Sequence, residues 1–228
     1  MLLAIDTSTR SLSLALYDGT QVIAEATWVT EGRHTVELMA AIQALCKQSE
    51  IALSSLTLLA VAQGPGSFNG LRVGFSAAKG LALALGLPLI AVPTLDITSA
   101  AQPAFDGALI AVAQAGRGRV VAGAYDWIGD GWQAQHGEND LRIVGWATLL
   151  DGITSSTLIS GEIDQDGLSA IRQAIADGKP LQAAPPAFWL RRAGFLAMLA
   201  WERWSRGEIS DTTGGAPFYL HQPGVPHP

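Results

Sequence analysis

Leu56-Thr57-Leu58-Leu59-Ala60-Val61-Ala62-Gln63-Gly64-Pro65-Gly66-Ser67-Phe68-Asn69-Gly70-Leu71-Arg72-Val73-Gly74 is the stretch on which the fold turns. Leu56 to Ala62 is a short β-compatible run that ends in Gly-Pro-Gly. Leu71 to Leu85 has helix length, is rich in Ala and Leu, and is stopped by Gly86 and Pro88. A second strand follows from Leu87 to Val92. Gly64, Gly66 and Gly70 can take backbone angles that other residues avoid, so the loop can turn successive N–H groups toward one point. Added to the positive end of the helix, those donors suit an anion such as a phosphate, and Arg72 and Lys79 supply cationic groups. The spacing is not a Walker loop, because Lys79 lies nine residues after Gly70, and it is not G-x-G-x-x-G. A tight structural turn fits the same residues, and both readings stay open.

The helix adds a second observation. Gly74, Ser76, Ala77, Ala78, Gly80, Ala82 and Ala84 are small, while Leu71, Val73, Phe75, Leu81, Leu83 and Leu85 are apolar. Little of its circumference is polar, so it is buried all round or buried against another subunit.

The 228 residues suffice for one large domain or two small lobes, and 49% hydrophobic content is ample for a core. A net charge of −6 gives no global field that attracts nucleic acid or anionic membrane, so this chain is not expected to be a main RNA binder. The single cysteine, Cys46, excludes an internal disulfide and a multi-cysteine zinc site. No leader-like or membrane-spanning run is present, which predicts a soluble cytoplasmic protein.

Taken in order, the chain opens with Leu2 to Ile5, then Asp6-Thr7-Ser8-Thr9-Arg10, then the alternating run of Leu12, Leu14 and Leu16. Asp18-Gly19 reads as a two-residue hairpin leading into Gln21 to Trp28. Asp6, Thr7 and Ser8 sit in the first turn, where they face a nucleotide's phosphates or cap the turn themselves. Thr35 is expected to cap a helix over Val36 to Gln48, with His34 just before it as a surface or capping residue. After Val92 the pattern gives a short helix from Leu95 to Ala101, then strands at Leu109 to Ala113, Arg119 to Tyr125, Trp132 to His136 and Thr157 to Ser160. Leu168 to Ala176 and Pro186 to Arg206 read as helices, and Pro223 to Pro228 as a frayed tail. The second β-rich opening invites comparison with the first as a degenerate structural duplication.

Leu3-Ala4-Ile5-Asp6-Thr7-Ser8-Thr9, Gly64 to Gly74, Ala78-Lys79-Gly80-Leu81-Ala82 and Pro217-Phe218-Tyr219-Leu220 together resemble the bacterial TsaB (YeaZ) family. The resemblance implies an α/β, actin-like and Hsp70-like ATPase fold of the ribonuclease H-like kind. It has two lobes, residues 1–100 and a reduced lobe at 101–228 that includes the C-terminal helix and tail. Members act with TsaD, TsaE and the threonylcarbamoyl-AMP synthase TsaC to place threonylcarbamoyl on the anticodon-adjacent adenosine of ANN-decoding tRNAs. TsaB-like proteins are non-catalytic partners that dimerise with TsaD through first-lobe helices. The implied interface here is His34, Leu38, Ile42, Arg72, Phe75, Ala78, Lys79 and Ala82.

The paralogous TsaD carries a metal-binding H-x-x-x-H after the corresponding strand. Here Val92 to Ala100 contains no histidine, and His34, His136, His221 and His227 offer no pair on one helical face, so no metal site is expected. Family members often carry an Asp-Ala-Arg-Arg-like segment where this chain has Gln114-Ala115-Gly116-Arg117-Gly118, so a carboxylate is missing there.

A scaffold or activator of a TsaD-like enzyme is the leading reading, with a TsaE-like ATPase as further partner, tRNA met only indirectly, and no catalytic residues. A homodimer of the isolated chain can use the same helices. The alternative is an independent ATP-dependent transferase or kinase that uses Asp6, Thr7, Ser8, Gly64, Gly66, Ser67, Gly70, Arg72 and Lys79 around phosphates. On the leading reading no cofactor is tightly bound, and ATP or ADP would bind weakly there if at all. A glycoprotease lacks both a nucleophile with a base and a zinc pair. Arg191, Arg192, Arg203 and Arg206 form a modest basic stripe that solvation alone can explain.

Overall fold

The computed structural model describes residues 1–135, 137, 141–208 and 216–220 and divides into two units, Met1–Ile97 with Arg191–Phe218, and Thr98–Leu190 with Tyr219 onward. The apolar opening makes β1 (Leu2–Asp6), buried at every position because both faces of its sheet are covered. β2 (Ser11–Tyr17) and β3 (Val22–Val29) continue antiparallel to it. The turn between them is longer than the expected two residues: Asp18 Oδ1 accepts from Thr20 N at 2.7 Å and Gln21 N at 2.8 Å. Those amide donors hold the Asp18 carboxyl below the ordinary aspartate range.

α1 (His34–Gln48) leads to β4 (Leu58–Gly64), α2 (Phe68–Leu85), β5 (Leu89–Pro93) and α3 (Thr94–Ala100). α1 begins two residues earlier than expected, after Arg33 and with no side-chain cap, so Thr35 does not cap it. α2 is capped by Ser67, whose hydroxyl accepts from Gly70 N, and ends on Gly86 at φ 65°, where a side chain would be strained. The sheet order is β3-β2-β1-β4-β5, with β1, β4 and β5 parallel.

Period-two alternation sorts the two faces. Leu3, Ile5, Leu14, Leu59 and Val61 pack with Leu38 and Ile42 of α1 and Phe75, Ala78 and Ala82 of α2. Leu2, Ala4, Ala15, Leu58 and Ala60 face the last helix, α6 (Ala193–Ser205), through Ala193, Leu196, Ala197 and Ala200. Alanine on both sides lets α6 lie close to the strands. The C-terminal helix thus belongs to the first unit, not to the second lobe as expected, and it starts only at Ala193. Pro186–Phe188 forms a separate 3-10 turn.

In the second unit β6 (Ala108–Gln114), β7 (Arg119–Ile128), β8 (Gly131–Ala134), β9 (Arg142–Gly145), β10 (Thr157–Gly161) and β11 (Leu181–Ala183) form the second sheet, in the order β11-β10-β6-β7-β8 with β9 also pairing β7. α4 (Trp146–Asp151) and α5 (Gln165–Ala176) cover one face through Trp146, Leu150 and Ile171. β6 runs antiparallel to β7 and parallel to β10, as β1 does to β2 and β4, so the duplication expected from the sequence is present in the topology. β9, α4 and β11 had no sequence signal strong enough to place them. His136, His221, His227 and the Pro223 to Pro228 tail lie outside the described residues.

Candidate functional site

Because β1 and β4 are parallel neighbours, the turn after Asp6 and the loop after Gly64 leave the sheet at the same edge. Their contact is backbone against backbone. A Cβ on Gly66 would stand 2.1 Å from Ser8 O, one on Gly70 2.1 Å from Thr7 O, and one on Gly74 2.3 Å from Thr7 Oγ1. Gly66, Gly70 and Gly74 are there to let two chains pass, not to bare amides for a ligand. Ser67 N donates to Ser8 O at 2.6 Å, Gly70 N to Ser67 Oγ at 3.3 Å, Leu71 N to Ser67 O at 2.9 Å, and Thr7 Oγ1 to Gly70 O at 2.7 Å.

The Asp6 carboxylate is enclosed as well, at 2% exposure. Oδ1 accepts from Ser8 N at 2.8 Å and from Ser8 Oγ at 2.6 Å. Oδ2 accepts from Arg191 Nε at 2.6 Å, and Arg191 NH2 reaches Ser8 Oγ at 3.1 Å and Thr9 Oγ1 at 2.7 Å. Asp6, Thr7, Ser8, Thr9 and Arg191 are all buried. A guanidinium from the returning chain therefore bonds the Asp6 carboxylate and the neighbouring Ser8 and Thr9 hydroxyls at once. On this geometry Asp6, Ser67 and Gly70 make their hydrogen bonds within the turn, the loop and the returning chain. Gly64 is held from a third side: its N donates to Thr94 Oγ1 at 3.1 Å, Phe218 N donates to Gln63 O at 2.7 Å, and a Cβ on Gly64 would lie 2.4 Å from Phe218 O. Arg72 is exposed, its guanidinium 5.3 Å from the Phe68 ring, and Lys79 is half-buried. Seven residues of helix, roughly 10 Å, separate their backbones.

Of the residues expected at a partner interface, His34, Leu38, Ile42, Phe75, Ala78 and Ala82 are buried in the first unit's own core. The His34 ring is held by Ser11 O at 3.2 Å and Thr30 Oγ1 at 3.3 Å. These side chains point inward because amphipathic helices bury their larger apolar stripe against the sheet. The outward face of the same helices carries Val36 (79% exposed), Met39 and Ala40 on α1, and Ser76, Gly80, Leu83 (69% exposed) and Ala84 on α2.

The residues that sequence reasoning missed are Arg191 and Thr94. Arg191 looked like one arginine of a surface stripe, and only the fold reveals that it turns inward. In the second unit, Gln114 takes the place of the missing carboxylate and holds Glu162: its N donates to Glu162 Oε2 at 2.9 Å and its Nε2 to Glu162 O at 3.0 Å. Among the described residues no group of three or more His, Cys, Asp or Glu could hold a metal ion, and no helix is long and apolar enough to cross a membrane.

Residues 27–149 match the family model described as TsaD, tRNA N6-adenosine threonylcarbamoyltransferase. The tRNA threonylcarbamoyladenosine biosynthesis protein TsaB of Bacillus subtilis is 34% identical over 227 residues, 96% of this chain and 93% of the relative. Among solved structures, YeaZ from Pseudomonas aeruginosa superposes with a TM-score of 0.73 at 24% identity, covering 95% of this chain and 99% of that one. The ethanolamine utilization protein EutJ from Carboxydothermus hydrogenoformans superposes at 0.51 and 14% identity, over 86% and 88% of the two chains. These likenesses to solved structures speak to the fold.

Proposed function

The chain belongs to the TsaB family of tRNA threonylcarbamoyladenosine biosynthesis proteins, and from that premise we propose that it acts in threonylcarbamoyl modification of tRNA as the non-catalytic partner of a TsaD-like enzyme. Its fold is the actin-like one. The observation that carries the partner reading is the pairing of a closed loop with an open helix face. Asp6 is closed off by Arg191 and the Gly64 to Gly70 loop by the Thr7–Ser8 and Phe218 backbones, whereas α1 and α2 leave Val36, Met39, Leu83 and the small residues Ser76, Gly80 and Ala84 in solvent. Small residues at four-residue spacing permit close helix approach, so this outward face is where a partner's helices would pack. A second copy of the chain would use the same face, since a two-fold contact needs only a self-complementary patch. No nucleotide is held tightly by this chain, a TsaE-like ATPase joins through the assembled complex, and the setting is the cytoplasm.

The test is a pulldown of the full chain with the TsaD homologue of the same organism, followed by tRNA modification assays with each protein omitted in turn. Complex formation, modification lost without this chain, and none from this chain alone support the reading. Nucleotide turnover by the purified chain with no complex formed overturns it and favours the independent transferase or kinase.

A further inference from the structure

Among the described residues, five of the eleven arginines pair with a carboxylate: Arg33 with Glu37, Arg191 with Asp6, Arg192 with Glu25, Arg203 with Asp96, and Arg206 with Glu208. The basic stripe near the C-terminus is thereby neutralised. Of the arginines outside those pairs, Arg117 and Arg119 stand together on one turn, Arg117 at a φ of 56° and Arg119 with an unsatisfied Nε. No described carboxylate lies within ion-pair distance of either, and Arg119 Nε is buried with no acceptor. Arg119 as a whole is only half-buried and Arg117 beside it is exposed, so the pair keeps donors that the described residues do not use.

Both arginines sit at the tip of the β6–β7 hairpin, closed by Ala115 N to Arg119 O at 2.8 Å and Arg119 N to Gly116 O at 3.2 Å. Gly116, Arg117 and Gly118 have φ of 73°, 56° and 67°. Glycine adopts this left-handed region freely and arginine does not, so the tip keeps an exposed cation where glycine would fit better. A Cβ on either glycine would meet nothing within 4 Å, which leaves the backbone beside the guanidiniums open. The topologically equivalent β1–β2 tip is sealed around Asp6. In the second unit the equivalent strand ends in neutral Gln114, and the neighbouring carboxylate, Glu162, is turned to the Gln114 amide.

We propose that the Gly116-Arg117-Gly118-Arg119 tip is a contact site for backbone phosphates of RNA. The proposal rests on the reading that the chain works in tRNA modification. Guanidinium forks match phosphate geometry, and a convex, open tip suits a polymer lying across it rather than a small molecule that needs enclosure.

The experiment follows the Arg119 Nε–H resonance of the ¹⁵N-labelled full chain, assigned by its loss in Arg119→Lys, during titration with a tRNA transcript, inorganic phosphate or poly-aspartate. The tRNA is expected to shift it at the lowest concentration, phosphate only at far higher concentration, and poly-aspartate weakly. The double variant Arg117→Ala/Arg119→Ala should lose about tenfold in tRNA affinity and flatten the log–log salt slope by ~2, one unit per phosphate, while Arg172→Ala on α5 changes neither beyond nonspecific charge. An unmoved resonance with tRNA, equal loss in Arg172→Ala, or poly-aspartate as effective as RNA each overturns the proposal, the last in favour of an acidic protein surface. A wild-type chain that shifts with tRNA yet never supports modification would leave this site standing and remove the function on which it was based.

Discussion

Arg191 Nε donates to Asp6 Oδ2 at 2.6 Å, joining residues 185 positions apart in sequence, both almost wholly buried. This contact ties the returning chain, and with it α6, to the end of the central strand. Removing one partner of such a pair leaves a buried charge without compensation, and the typical cost is about 3–5 kcal/mol. Arg191→Met should therefore lose about that much in urea denaturation, and Asp6→Asn combined with Arg191→Met should recover a good part of it. A loss below ~1 kcal/mol in the single variant would mean that the pair is not the tie described here.

The two glycine populations of α2 predict opposite signs. A Cβ on Gly70 meets the Thr7 carbonyl at 2.1 Å, whereas one on Gly80 meets nothing within 4 Å. Gly70→Ala is expected to destabilise by at least ~2 kcal/mol because backbone must move, and Gly80→Ala to stabilise the isolated chain by ~0.5–1 kcal/mol through helix propensity. Thermal unfolding of both variants is the check, and two shifts of the same sign would contradict the packing.

Much of this fold was legible because its signals are local. The apolar runs at Leu2 to Ile5 and Leu58 to Ala62, the Gly-Pro-Gly loop and the Gly86 stop each act within a few residues, and the structure places β1, β4 and α2 there. What sequence reading could not supply was direction. Apolar residues all round α2 do not say which stripe meets the sheet; it is the stripe of Phe75, Ala78 and Ala82, which clusters with Leu59 and Val61. Arg191 was unreadable for a similar reason: its acceptors come from the other end of the chain. Short elements such as β11, three residues long, lie below the length at which periodicity carries information.

Cys46 lies on the inward stripe of α1, and burial raises its thiol above the ordinary value. The thiolate, the reacting form, is then scarce at neutral pH. The native protein should react slowly with a disulfide reagent such as DTNB and rapidly once unfolded in urea. Fast labelling of the folded chain at neutral pH would show that α1 opens locally or that the thiol is accessible.

The outward face of α2 can be separated from its inward face by placing the same charge on each. Ala78 is fully buried against the sheet, so Ala78→Arg forces a guanidinium into an apolar core and should unfold the chain. Ser76 and Gly80 are exposed on the opposite stripe, so Ser76→Arg should leave the unfolding temperature within a few degrees of wild type. If α1 and α2 meet the partner enzyme through their exposed residues, Ser76→Arg should abolish the pulldown while the chain stays folded, because a desolvated charge at a close helix contact has no partner. Lys79→Ala distinguishes the remaining anion reading: half-buried beside this face, it should alter partner affinity more than any nucleotide affinity. Retained partner binding by a folded Ser76→Arg protein would remove α2 from the interface and move the search to other exposed apolar groups, such as Val22 and Ile23 on the β3 edge.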